Sequence, residues 1–409
     1  MHIELHPRFA DTPQGKEAQA LTSACVHCGF CLATCPTYLD TRDERDSPRG
    51  RIYLVKQLLE TGEAGPATQT HLDRCLTCRN CETTCPSGME YGQLLDIGKG
   101  LMEKEAPRSL VASTFRAGIR ALFSRPTLLR LLMLPAQGVR RVLPLALKAK
   151  VPPYQKAGAL PEQTHTRTML ILEGCVQRAA TPLTNGAAKR VMHRLGITLV
   201  GAPRAGCCGA LDYHLGAHDP GLNAMRNNID AWWPHIENGA EAIVSSASGC
   251  GAMLIDYGRL LAHDPGYAEK AQRVSALSKD LSELVAAEDL TPLNVADRAD
   301  TIAVHTPCTL THALKQPGHV NDILTRVGLK TTSEATTLCC GSAGTYSLLE
   351  PERSTRIRST ALQSLRQDNP DIIATANVGC QLQLLGGVEA DANKACSVKH
   401  WIELLDQPS

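Results

Sequence analysis

The chain has 409 residues, 42 basic against 41 acidic side chains and a hydrophobic share of 43%, so its seventeen cysteines are the one unusual feature. Such a length supports several domains with their own cores, which removes the need for the disulfide scaffold of small secreted proteins, while a net charge of +1 and only four Phe, three Trp and eight Tyr speak against nucleic acid as a partner. No apolar run reaches the roughly 18 residues of a spanning helix, and the start MHIELHPRF lacks a basic-then-apolar signal pattern, so the expected location is cytoplasmic and reducing.

Cys25, Cys28, Cys31 and Cys35, followed by Pro36, are spaced C-x2-C-x2-C-x3-C-P; Cys75, Cys78, Cys81 and Cys85, followed by Pro86, repeat that spacing fifty residues later. The run resembles that of bacterial two-cluster ferredoxins, in which three close thiolates hold one [4Fe–4S] cube and the fourth reaches the other. The resemblance implies one cluster on Cys25, Cys28, Cys31 and Cys85 and a second on Cys75, Cys78, Cys81 and Cys35. Zinc is the alternative, but zinc modules use two separated C-x2-C pairs rather than a four-cysteine run ending in proline. Between the runs, Ser47 as N-cap, Pro48 at the first position, and Ile52, Val55, Leu58 and Leu59 at helical spacing predict a helix. A second is expected over 90–104, with Leu94, Leu95, Leu101 and Met102 inward. Ligand runs alternating with helices resemble the helical ferredoxin domain of succinate dehydrogenase and related respiratory subunits, and residues 1–107 are assigned to it. Arg49 and Arg51 either ease the reduction of a cluster or are simply solvated.

Residues 108–165 read as a basic amphipathic linker. From Arg108 to Lys150 there are nine cations (Arg108, Arg116, Arg120, Arg125, Arg130, Arg140, Arg141, Lys148, Lys150) and no acid, interleaved with LLRLLML and VLPLALK. Pro126, Pro135 and Pro144 are expected to break it into short helices. Such a segment suits an anionic membrane surface or a partner subunit; the plain alternative is a connector with a solvated charged face.

The remaining cysteines form two matched sets. Cys175, Cys207, Cys208 and Cys250 are repeated as Cys308, Cys339, Cys340 and Cys380 at offsets of 133, 132 and 130 residues, which marks a duplicated domain over 166–290 and 300–409; only Cys396 is left over. In the first copy TMLILEGC, ITLVGAP and AIVSSASGC read as strands around a helix over 183–195, and in the second IAVHTPC, TTSEATTLCCG and DIIATANVGC play the same parts. The expected fold class is therefore α+β and multidomain: a helical ferredoxin domain, then two α/β units with cysteines near the strand ends. A single cysteine could be a core residue, but eight in register are not scattered packing. Each set of four thiolates offers a site for a further Fe–S cluster or a zinc ion.

The doubled CCG layout resembles the cysteine-rich domain found in heterodisulfide reductases, anaerobic glycerol-3-phosphate dehydrogenases and lactate-utilisation proteins. Behind a two-cluster ferredoxin domain, and with HTPCTLTHAL and CCGSAGTYSLLEPE in the second copy, residues 20–400 resemble the family of glycolate oxidase iron–sulfur subunits. Where heterodisulfide reductases end each copy in C-x2-C, this chain has Met253 and Gln383, so their five-thiolate site and its disulfide chemistry do not transfer. His27, His305 and His312 lie near cysteines and read as hydrogen-bonding scaffold, and no catalytic residue is assigned. No nucleotide or flavin fingerprint occurs.

Oxidation of a 2-hydroxy acid removes two electrons together, which a flavin accepts, whereas clusters pass one at a time. The resemblance thus implies an electron-transfer subunit of a glycolate dehydrogenase that works with a flavoprotein subunit, passes electrons toward quinone and lies on the inner face of the cytoplasmic membrane. The alternatives are a subunit serving D-lactate or glycerol 3-phosphate oxidation, a heterodisulfide-reductase-like thiol enzyme, and a redox-sensing scaffold without turnover.

Overall fold

Short polar caps and prolines start one helix after another in the N-terminal region of the computed structural model, which describes residues 1–293, 295, 299–332, 338–391 and 396–406. Ser47 Oγ accepts the Gly50 N–H at 3.0 Å and Pro48 holds the first position, so the helix Pro48–Thr61 begins there; Gly62 ends it at φ 72°. It packs Ile52, Val55, Leu58 and Leu59 into one core with Leu94, Leu95, Leu101 and Met102 of the helix Tyr91–Glu105. The prolines after the two cysteine runs act differently. Pro36 opens the helix Pro36–Thr41, whereas Pro86 lies in a turn.

The basic segment forms the helices Leu110–Phe123 and Pro126–Gly138. Pro126 opens the second, but Pro135, expected to break it, lies inside it; so close to the end, it disturbs only the closing turn. Several cations expected at a membrane turn inward instead. Arg108 binds Asp73 and Glu103, Arg116 binds Asp73 at 2.7 Å, Arg120 faces Asp212 at 3.5 Å and Arg140 pairs with Glu389. The missing acids of the segment are thus supplied by other parts of the chain. Leu110, Val111, Phe115, Leu131, Leu132 and Val142 face outward.

Two four-stranded parallel sheets follow. β1 (Arg167–Leu172), β2 (Ile197–Gly201), β3 (Ile243–Ser245) and β4 (Ser278–Asp280) are ordered β2-β1-β3-β4. β5 (Thr301–His305), β6 (Lys330–Thr331), β7 (Ile372–Thr375) and β8 (Ser397–His400) repeat that order as β6-β5-β7-β8. The sequence suggested three strands per copy and missed β4 and β8, which are short, largely polar edge strands without an apolar run. Of the TTSEATTLCCG stretch only its first residue lies in a described strand, and residues 333–337 fall outside the described residues.

Alternation along each strand divides the cores. Met169, Ile171 and Val244 meet Ile302, Val304 and Ala374 in a core shared by the two copies. The opposite faces are separate: Leu170, Leu172 and Ile243 join Trp232 and Tyr257 in the first copy, while Ala303 and Ile373 join Leu384 in the second. The helical region is tied to both copies. Asp40 binds Arg356 at 2.7 Å and Asp46 meets Arg353 at 3.1 Å on the second, whereas Arg79 pairs with Asp256 and Asp96 with His214 on the first.

Candidate metal centres

Each cysteine run curls its backbone through the left-handed region at the same two places. His27 and Gly29 in the first run match Thr77 and Arg79 in the second, with φ between 50° and 84°. For a non-glycine residue this costs on the order of 1 kcal/mol, a strain that bends successive thiols toward one point. The result is two neighbouring clefts. One is lined by Cys25, Cys28, Cys31 and Cys85, with Arg49, Cys81 and Tyr91; the other by Cys35, Cys75, Cys78 and Cys81, with Arg51 and Tyr91. Both clefts therefore combine the two runs: the first takes three thiols from the first run and two, Cys81 and Cys85, from the second, and the other takes three from the second run and Cys35 from the first. Cys28 is exposed beside Val26 and Phe30, so the first cleft opens at the surface, whereas Cys35, Cys78 and Cys81 are buried.

The electrostatics favour a cation in both clefts. Burial pushes the Cys31 thiol up to about 11 and lifts Cys78 and Cys81 well above the usual thiol range, so thiolates there need positive charge nearby. Burial also raises Cys85, but the Ser87 hydroxyl and the amides of Met89, Ser87 and Gly88 outweigh it and hold this thiol below its ordinary value. Arg51 is not solvated, contrary to the plainer reading of the sequence. It is 1% exposed, donates to the His71 carbonyl at 2.7 Å and Thr37 Oγ1 at 3.1 Å, and reaches Asp46 at 3.5 Å. Thr37 Oγ1 in turn lies 3.3 Å from Cys35 Sγ. Burial disfavours the Arg51 charge, but Tyr91, Cys75, Cys35 and Asp46 together overcome it and keep the guanidinium protonated. Arg49 is partly exposed and pairs with Glu44 at 2.6 Å. Tyr91, Asp46 and Arg353 carry no motif, and sequence reasoning did not find them.

The duplicated cysteines come together as two lines of thiols. Cys175 stands at the start of the helix Cys175–Ala180 after β1, Cys207 and Cys208 lie beyond β2, and Cys250 rides on the helix Ser248–Leu260 after β3. Cys308, Cys339, Cys340 and Cys380 repeat the arrangement, the last on the helix Val378–Ala390. Sulfur contacts run Cys175 to Cys207 at 3.6 Å in the first copy and Cys340 to Cys380 at 2.9 Å in the second. In each copy one thiol is held well below its usual range by hydrogen bonds from its neighbours: Cys207 by Cys175 and Cys208, Cys339 by Cys308 and Cys340. The positions that hold a fifth cysteine in heterodisulfide reductases are engaged elsewhere. Met253 is buried in the apolar core, and Gln383 donates to Ser354 Oγ at 2.7 Å.

The surroundings of the two lines differ. Cys308 and Cys339 share an apolar cluster with Cys78 and Leu76 of the helical region, so the second copy adjoins the buried cleft. Cys175, Cys207 and Cys208 lie in a core built from their own domain. The histidines near cysteines serve different ends: His312 Nδ1 meets Thr83 Oγ1 at 2.9 Å, His27 Nδ1 lies 3.1 Å from Met1 Sδ, and His305 Nδ1 meets Thr375 Oγ1 at 2.9 Å. Burial pushes His305 down to about 4, leaving it neutral at neutral pH.

Comparison with known proteins matches this layout. The family model of the 4Fe-4S dicluster domain matches residues 22–89, and that of the cysteine-rich domain matches 169–255 and 302–385. The chain is 48% identical over 410 residues to the glycolate oxidase iron-sulfur subunit of Escherichia coli (strain K12), across 100% of this chain and 99% of that protein. It is 30% identical over 399 residues to the probable glycolate oxidase iron-sulfur subunit of Bacillus subtilis (strain 168), covering 90% and 89%. Lactate utilization protein A 1 of Bacillus cereus (strain AH820) is 26% identical over 229 residues, 54% of this chain and 92% of that one. Among the described residues no helix is long and apolar enough to cross a membrane.

Proposed function

This chain belongs to the family of glycolate oxidase iron–sulfur subunits, and from that premise we propose that it is the electron-transfer subunit of a glycolate-oxidising complex. In this reading a separate flavoprotein subunit takes the two electrons of the hydroxy acid together, and this chain passes them on singly toward quinone. Cys25, Cys28, Cys31 and Cys85 would hold one [4Fe–4S] cluster and Cys35, Cys75, Cys78 and Cys81 the other, within a ferredoxin domain of residues 1–107. When bound, such clusters supply reversible one-electron transfer. The observation that carries the proposal is the pair of clefts that each combine thiols of both runs, Cys25, Cys28 and Cys31 with Cys81 and Cys85 in one, and Cys75, Cys78 and Cys81 with Cys35 in the other.

The residues around the clefts have definite tasks. Buried Arg51 sets a fixed positive charge beside Cys35 and Cys75, which favours the more negative, reduced state of whatever those thiols hold. Asp46, with no solvent exposure, holds Arg51, His71 and Arg353 together and so ties the buried cleft to the second copy. The thiols of the two copies, over 166–290 and 300–409, offer further metal sites, and the second adjoins Cys78.

The test uses the full chain with its flavoprotein partner. Alone, this chain should not oxidise glycolate; mixed with the partner, it should be reduced when glycolate is added. Cys28→Ser or Cys78→Ser should block quinone reduction while flavin reduction proceeds. Turnover by the chain alone, or quinone reduction at full rate in both variants, would overturn the relay.

Attachment to the inner face of the cytoplasmic membrane is supported by the apolar side chains exposed along 110–142 beside Arg125, Arg130 and Arg141, which have no acidic partner among the described residues. Binding to anionic vesicles should therefore weaken in a Leu131→Gln, Leu132→Gln, Val142→Gln variant and stay unchanged in Arg116→Gln, whose charge faces Asp73. The opposite ranking in a vesicle sedimentation assay would refute this mode of attachment.

A further inference from the structure

The second copy contains a donor that the first lacks. His305 ends β5 three residues before Cys308, and the matching position three residues before Cys175 is Leu172. His305 is 4% exposed. Its Nδ1 is bound to Thr375 Oγ1, a buried hydroxyl at the end of β7, and Nε2 has no hydrogen-bond partner among the described residues. A buried polar atom without a partner is rare in native proteins and calls for a specific explanation, a bound ion among them. Here a ring nitrogen of His305 and the sulfurs of Cys340 and Cys380 all lie within 4.8 Å of one another.

We propose that His305, through Nε2, is a ligand of the metal held by the thiolates of the second copy. The inference rests on the reading that this copy binds metal and adds that its donor set is mixed, imidazole with thiolate, whereas the first copy offers thiolates alone. The chemistry is consistent at each point. With Thr375 accepting the Nδ1 proton, Nε2 is left with its lone pair, and such a second partner commonly fixes the tautomer and ring orientation of a metal-binding histidine. Imidazole and thiolate together suit zinc or an iron–sulfur centre. In an iron–sulfur centre, a neutral nitrogen in place of a thiolate raises the reduction potential. Since Cys308 and Cys339 of this copy pack beside Cys78, an iron centre here would draw electrons from the neighbouring cleft.

The experiment uses anaerobically purified full-length protein, with iron, zinc and sulfide counted per chain. Pulsed EPR then reads nitrogen coupling at iron, and X-ray absorption reads the ligands of zinc. The wild type should contain metal beyond the roughly eight irons of two cubes, with a directly bound nitrogen. His305→Cys should keep that metal, lose the nitrogen signal and, if the metal is iron, lower its midpoint potential. His305→Leu, which copies the first domain, should lose the metal from this site alone. Metal present with sulfur ligands only in the wild type would overturn the role of His305 and leave the metal reading standing. No metal beyond the two cubes would overturn both. The wild-type spectra decide even where a variant fails to fold.

Discussion

The two cysteine-rich copies share a strand order, a line of four thiols and the same hydrogen-bonding pattern that lowers one thiol in each, yet they are placed in different surroundings. The first encloses its thiols in its own core. The second opens its line toward Cys78 and adds His305 where the first has Leu172. Duplication thus preserved the scaffold, while the neighbours of each copy differ, and only the second packs its thiols beside Cys78 among the described residues.

The comparison breaks most sharply on turnover. Cys339→Ser should slow quinone reduction by the reconstituted complex roughly 100-fold, at the upper end of what disturbing a metal site costs, whereas Cys207→Ser should leave the rate within a few-fold of wild type. Stopped-flow reduction after glycolate is added would read both. Equal losses would mean that the first copy also lies on the path.

A smaller effect concerns acid. His400 ends β8 and Asp280 ends β4, at matching edges of the two sheets. Burial pushes His400 down to about 4 and Asp280 up to about 6. A depressed histidine means that the unfolded chain binds the proton more tightly, so stability from His400 is lost as pH falls from about 6.5 toward 4. A raised carboxyl works the other way: the folded chain binds its proton more tightly, and Asp280 adds stability as pH falls from about 6 toward 3.8. The second copy should therefore loosen first, by on the order of 2 kcal/mol at pH 5. Hydrogen exchange, corrected for intrinsic rates, should show β7 and β8 losing protection before β3 and β4. His400→Gln should reduce the difference in the second copy without abolishing it, since buried His305 is pushed down to about 4 there as well.

Much of this organisation was legible because it is local or periodic. A C-x2-C spacing constrains thiols within one loop, the Ser47-Pro48 pair carries a local helix-start signal, and buried parallel strands such as MLIL and IIAT carry their own apolar signal. Less legible were β4 and β8, whose polar residues are held as strands by their neighbours, and Arg51, whose charge looks like any surface arginine until Asp46, Thr37 and His71 close around it. The basic segment misled for the same reason. A run of cations without acids reads as free charge, but Asp73, Asp212 and Glu389 approach from elsewhere in the chain and neutralise much of it.

The sequence by itself determined the class of fold, the doubled thiol sets and the family, since each depends on residue spacing that survives in any packing. Tertiary structure alone decided that Cys339 sits beside Cys78, that a ring nitrogen of His305 lies near the sulfurs of Cys340 and Cys380, and that Leu131 rather than Arg116 faces outward. Those facts join segments up to some 260 residues apart. Such contacts form when whole domains bury apolar surface against one another, and nothing in a local pattern encodes which faces meet.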